Sequence, residues 1–110
     1  SHCTVRLGQR HVGAPGMVHG GILAACFDQV SGHCAVVSGH PGLTVSLHVQ
    51  YQGPAHVEVD LQFVAELEQV AGREITVSAT CSRQGEQIAS CRAIFVTLDE
   101  EQGQTLFHGA

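Results

Sequence analysis

The sequence predicts an α+β domain in which one long helix packs on a five-stranded antiparallel sheet, in the order β-α-β-β-β-β. Three observations predict it. Residues 22–37 are predominantly apolar, with Asp28 as their only formally charged side chain. Beyond residue 43 the apolar period changes from helical to twofold and stays so. The alternating stretches are separated by Gly-containing turns short enough to join antiparallel neighbours.

A first strand is expected over Cys3 to Leu7. The segment Gly13-Ala14-Pro15-Gly16-Met17-Val18-His19-Gly20-Gly21 follows as a turn leading into a helix start. In Ile22 to Val37, Leu23, Phe27, Val30, Cys34 and Val37 recur at helical spacing, while Ala24, Ala25, Ala35 and Val36 keep much of the remaining surface apolar. Such a helix is expected to be buried on most sides, with Asp28 as a buried acid that needs a partner or a functional reason to be kept. Next, Val45, Leu47, Val49 and Tyr51 alternate with Thr44, Ser46, His48 and Gln50, giving a strand with one apolar face that stops at Gly53-Pro54. Val57, Val59, Leu61 and Phe63 mark a third strand, Ile75, Val77, Ala79 and Cys81 a fourth, and Ile88 to Leu98 the last. Turns fall around Ala71-Gly72 and Arg83-Gln84-Gly85-Glu86. Residues 1–99 are expected to form a single domain, and 100–110 a loose polar tail. A sheet covers such a helix on one side only, so its remaining apolar surface calls for a second copy of the chain.

Composition narrows the function. At 110 residues and 44% hydrophobic, the chain can bury a core but stands near the lower end of comfortable size. A formal charge of −5, with five Arg and no Lys, disfavours nucleic acid and anionic membranes as partners of the whole surface. Any phosphate-bearing ligand then needs a local Arg. The five Cys include no C-x-x-C pair and mostly fall on apolar faces, which suits reduced core thiols and a cytoplasmic location. The longest apolar run reads as too short and too interrupted to span a bilayer, and no charged segment followed by an apolar stretch opens the chain. The His residues lack tight ligand spacing such as H-x-x-x-H, so no metal site is expected.

The pattern Gly-x-Pro-Gly-x-Val-His-Gly-Gly followed seven residues later by Asp28, with the strand Thr44-Val45-Ser46-Leu47-His48-Val49-Gln50-Tyr51 and the turn pair Gly72-Arg73, resembles the small hotdog-fold acyl-CoA thioesterases. The resemblance covers nearly the whole chain and is strongest to the thioesterase-superfamily-member and phenylacetate-pathway types. It implies a sheet wrapped around a central helix and a homodimer with one continuous sheet, with a dimer of dimers as a further possibility. It also implies that Thr44 orients the lytic water and that the Gly72-Arg73 turn contacts the phosphates of coenzyme A, which is part of the substrate; no separate cofactor is expected. One departure stands out: many relatives carry an Asn six residues before the His, and here that place is Gly13.

The chemistry can also be argued from the residues. A CoA thioester has a leaving thiol with a pKa of about 8.5, if it behaves as an ordinary thiol, and departs with little acid assistance. What must be supplied is a nucleophile or activated water, and a stabiliser for the developing oxyanion. Gly20 and Gly21 offer backbone amides at the positive end of the helix dipole with no Cβ in the way. Asp28 offers the carboxylate, as nucleophile or as general base. The helix rises about 12 Å between Gly20 and Asp28, whereas groups serving one carbonyl carbon must each lie within about 3.5 Å of it. The productive pair is therefore expected to be Gly20 of one subunit with Asp28 of another.

Each assignment has a plainer rival. Asp28 can simply face solvent, Thr44 can be an outward β-branched residue, and Arg73 a solvated surface cation. His19 can orient the loop through its ring or be structural only. Tyr51 and Gly21 are expected to line the substrate site together with Gly72 and Arg73. Alternative functions are a non-catalytic acyl-CoA-binding module and a dehydratase of the same fold, whose acid would be expected where Cys26 stands.

Overall fold

A computed structural model describes residues 1–8, 12–14, 17–18, 20–56 and 58–97. Its elements are β1 (His2–Arg6), β2 (Val12–Ala14), β3 (Met17–Val18), α1 (Gly20–Val37), β4 (Gly42–Tyr51), β5 (Asp60–Ala71), β6 (Glu74–Arg83) and β7 (Glu86–Thr97). The five long strands form one antiparallel sheet in the order β1-β5-β6-β7-β4, and α1 lies on one face of it. The expected order of helix and sheet strands holds. Ahead of the helix, β2 and β3 add a small two-stranded pair that the Gly-rich composition of this stretch hid.

The helix begins at the paired glycines and ends in a Schellman motif. Gly39, at φ 86°, takes the left-handed position, with its N–H bonded to Val36 O at 3.0 Å and the N–H of His40 bonded to Ala35 O at 2.9 Å. Leu23, Phe27, Val30, Cys34 and Ala35 are buried against the sheet, and the Phe27 and Phe63 rings meet edge to face at 5.3 Å. By length and composition α1 passes as a membrane span, contrary to the reading from sequence. Its packing makes it the central helix of the fold instead.

On the sheet side the core comes from Leu61, Phe63 and Ala65 of β5, Ile75, Val77, Ala79 and Cys81 of β6, and Ala89, Cys91, Ala93 and Phe95 of β7. Strand β5 starts at Asp60, later than the Val57 and Val59 pattern suggested. Val59 lies in a bend after Glu58, whose φ is 61°, and Val57 falls outside the described residues. The hairpin loops carry the left-handed residues that two-residue connections require: Gly72 at φ 60° between β5 and β6, and Gln84 and Gly85 at 51° and 83° between β6 and β7. Gly42 is fixed differently: a Cβ there would stand 2.4 Å from Val96 O, so only glycine lets β4 begin this close to β7. The expected tail over 100–110 lies outside the described residues.

One side of the helix stays uncovered. Ala25, Asp28, Gln29, His33, Val36 and Val37 are exposed, and so are Leu43, Val45 and Tyr51 of β4. The expectation of a helix buried on most sides is therefore corrected. A single sheet reaches only one face, and the apolar remainder gathers along the edge strand β4.

Candidate active site

Asp28 and Thr44 come together. Thr44 Oγ1 donates a hydrogen bond to Asp28 Oδ1 at 2.8 Å, joining the middle of α1 to the start of β4. Simple alternation would place Thr44 on the face opposite Leu47, Val49 and Tyr51. A β-bulge prevents this: the β4–β7 register passes from Thr44↔Phe95 to Ser46↔Ile94, leaving Val45 as the extra residue. Thr44 thus shares the helix-facing side with buried Phe95, while Val45 turns outward and is 59% exposed.

Asp28 is exposed in the protomer, which corrects its reading as a buried acid. The helix face that carries it lies toward edge strand β4, and no further layer of the described residues covers it. Its carboxylate still acts on its surroundings. Burial pushes the Cys91 thiol up to about 11, and the negative charge of Asp28 adds to that shift.

The helix N-terminus is held by the other end of the same strand. Tyr51 Oη donates to Gly20 O at 2.7 Å, and a Cβ at Gly20 would lie 3.3 Å from that hydroxyl oxygen. Tyr51 was expected to line a substrate site, and the bond it makes to the Gly20 carbonyl had no sequence signal beyond a Tyr ending an alternating strand. Gly21 is in the first helical turn. His19 lies outside the described residues.

Arg73 is at the opposite end of the sheet from Tyr51. Its Nε and Nη2 donate to Thr97 O at 3.2 and 2.9 Å, and Thr97 N–H donates to Arg73 O at 2.8 Å. Thr97 pairs with Gly42, two residues before Thr44, so the Gly72-Arg73 turn stands at the Thr44 end of β4, two strands across. A cavity of about 350 Å³ opens elsewhere, between β1 and the far side of the helix, lined by Cys3, Val5, Cys26, Val30, His33 and Phe63. It is separate from Asp28. Among the described residues no cluster of His, Cys, Asp or Glu is suited to a metal ion.

The arrangement therefore offers a hydrogen-bonded carboxylate in mid-helix and a glycine pair at the helix start, both tied to one edge strand. Comparison with known proteins connects this arrangement to a family. A model of the Thioesterase superfamily matches residues 15–88, which include the glycine pair, Asp28, Thr44 and Tyr51. Acyl-coenzyme A thioesterase THEM4 of Mus musculus is 32% identical over 95 residues, 84% of this chain and 41% of that protein. The chain spans about half the length of the curated relatives it matches. A crystal structure of a thioesterase superfamily protein, 32% identical, superposes with a TM-score of 0.84 over 86% of this chain and 47% of the other. An acyl-CoA hydrolase from Staphylococcus aureus, solved in complex with butyryl coenzyme A and coenzyme A, shares the fold at a TM-score of 0.85 with 21% identity, over 93% of this chain and 65% of that one. The match over residues 15–88, the relatives and the hotdog arrangement of helix and sheet agree: this chain belongs to the thioesterase superfamily.

Proposed function

We propose that the protein hydrolyses an acyl-CoA thioester to the free acid and coenzyme A, in a site shared by two copies of the chain. The observation that carries this reading is the 2.8 Å bond from Thr44 to Asp28. It fixes one carboxylate oxygen and leaves the other to accept a proton. Thr44, having donated its only proton, keeps lone pairs that can accept from water. A water whose hydrogens point to Asp28 and Thr44 directs its own lone pair away from them, toward a thioester carbon. Asp28 then takes a proton as water attacks, and the oxyanion forms against the backbone amide of Gly20 at the positive end of α1. Collapse of the tetrahedral intermediate expels the CoA thiolate.

The amide and the carboxylate belong to different subunits in this reading, because the helix between them is about 12 Å long. The exposed apolar side chains Val36, Val37, Leu43 and Val45 lie beside edge strand β4, and a second copy would cover them and pair with its open backbone groups. A homodimer, alone or as half of a tetramer, follows. The tethered guanidinium of Arg73 is assigned to the CoA phosphates, with Gly72 supplying the turn and Gly21 a neighbouring contact at the helix start. His19 is assigned to orienting the loop ahead of the helix through its ring, and the burial of Cys34, Cys81 and Cys91 as core thiols supports a cytoplasmic location. Several curated relatives and solved neighbours are named for acyl-CoA chemistry, which supports the substrate class. The test is a panel of aryl, medium-chain and long-chain acyl-CoAs with release of free thiol followed by a thiol reagent. Turnover of at least one, abolished in Asp28→Asn, is the expected result; no turnover of any by folded protein refutes the reading.

A further inference from the structure

We infer that Tyr51 is a positioning residue that holds the oxyanion-binding end of α1 in register, an inference that rests on the thioesterase reading above. The first helical turn opens with two adjacent glycines and contains no acidic side chain to favour it electrostatically. Glycine has the widest backbone freedom of any residue, and each one weakens a helix relative to alanine. Helix ends fray more readily than helix middles even without that handicap. Amides on such a turn would sample many directions, whereas an oxyanion donor must be aimed before the charge develops.

Tyr51 opposes that freedom in two ways. Its hydroxyl donates to Gly20 O at 2.7 Å, a short bond that fixes the peptide plane between Gly20 and Gly21. Its ring lies so close to the Gly20 Cα that a Cβ there would stand 3.3 Å from Oη and 3.4 Å from Cζ. With the carbonyl bonded and the Cα packed, the Gly20 amide is carried by a residue held on its other side, which narrows the directions it can take. The glycine pair thereby keeps the absence of Cβ that a closely approaching substrate needs without the looseness that accompanies it. Strand β4 serves both ends of the chemistry, Thr44 holding the acid and Tyr51 the residue that carries the Gly20 amide.

The test is steady-state kinetics of Tyr51→Phe, Gly20→Ala and the double variant, on whichever acyl-CoA the wild-type protein hydrolyses. Tyr51→Phe keeps the ring and removes only the hydroxyl. It should lower kcat about 10-fold, the effect of one hydrogen bond on a transition state, with KM unchanged. A substrate-contacting role would instead raise KM at constant kcat, and a purely structural role would lower thermal stability while leaving kcat of the folded protein intact; either result overturns the inference. Gly20→Ala should cost wild type more than it costs Tyr51→Phe, because the nearest atom to the new methyl is the hydroxyl oxygen. Strict additivity of the two losses also overturns it. Absence of hydrolysis by wild type refutes the thioesterase reading and this inference with it, whereas an active wild type with full kcat in Tyr51→Phe refutes this inference alone.

Discussion

Thr44 Oγ1 reaches Asp28 Oδ1 at 2.8 Å only because Val45 bulges out of the ladder between β4 and β7. The carboxylate is thereby held from one side while its exposed position leaves the other open to solvent. A helix built to bury Phe27 and Val30 has no packing use for a charge in between on its uncovered face, so its substitution should affect chemistry before stability.

Asp28→Asn is accordingly expected to lower kcat about 100-fold or more, the scale of a lost general base. The amide is nearly isosteric and can still accept from Thr44. Circular dichroism and thermal melting should be close to wild type. Near-normal turnover by the folded variant would make Asp28 a surface residue and remove the mechanism.

Thr44→Val keeps the β-branched shape and the strand but deletes the hydroxyl. The expected loss in kcat is about 10-fold, that of one hydrogen bond, and smaller than for Asp28→Asn. Steady-state kinetics of both variants side by side decides it. A loss equal to or larger than that of Asp28→Asn would give Thr44 the principal role.

Periodicity made the helix and the β-α-β-β-β-β order legible, since Leu23, Phe27, Val30 and Cys34 at helical spacing and Ile75, Val77, Ala79 and Cys81 at twofold spacing are the residues buried between helix and sheet. The candidate site was legible as residue types at a spacing, Gly20 with Asp28 and Thr44, but not as geometry. Alternation carries no mark of a bulge, so it placed Thr44 on the wrong face of β4. The exposure of Asp28 is illegible for a related reason: apolar content all round a helix does not say whether the cover comes from its own chain or from another. The bond from Tyr51 to Gly20 spans 31 residues and ends on a backbone carbonyl, which no side-chain pattern encodes.

The buried thiols make alkaline stability a measurable property of the core. Burial raises Cys81 from 9.0 to about 12 and Cys91 from 9.0 to about 11. Below pH 9 both thiols are protonated folded or unfolded and the native state keeps its full stability. As pH climbs from 9 toward 11 and 12, the unfolded chain releases these protons while the folded one retains them, so stability falls through that window. Urea midpoints measured from pH 7 to 10.5 should decline above 9, and Cys81→Ala, whatever its cost at pH 7, should flatten the slope. An unchanged slope would show that Cys81 does not titrate differently in the two states.

The shared site makes a prediction about mixed dimers that neither subunit alone can satisfy. Tyr51 serves Gly20 of its own chain, and Thr44 serves Asp28 of its own chain, but the two ends of one site come from different chains in the proposed arrangement. Asp28→Asn and Tyr51→Phe chains carrying different tags are mixed under conditions of subunit exchange, and the doubly tagged dimer is isolated. One of its two sites then joins the intact helix start of the Asp28→Asn chain to the intact acid of the Tyr51→Phe chain, while the other site carries both lesions. Specific activity should be about half that of wild type. Were each site built within one chain, the same dimer would hold one dead site and one at about a tenth of wild-type rate, giving about a twentieth. A ten-fold gap separates the outcomes, and an active wild-type protein that light scattering shows to be monomeric would itself rule out a site completed by a second copy.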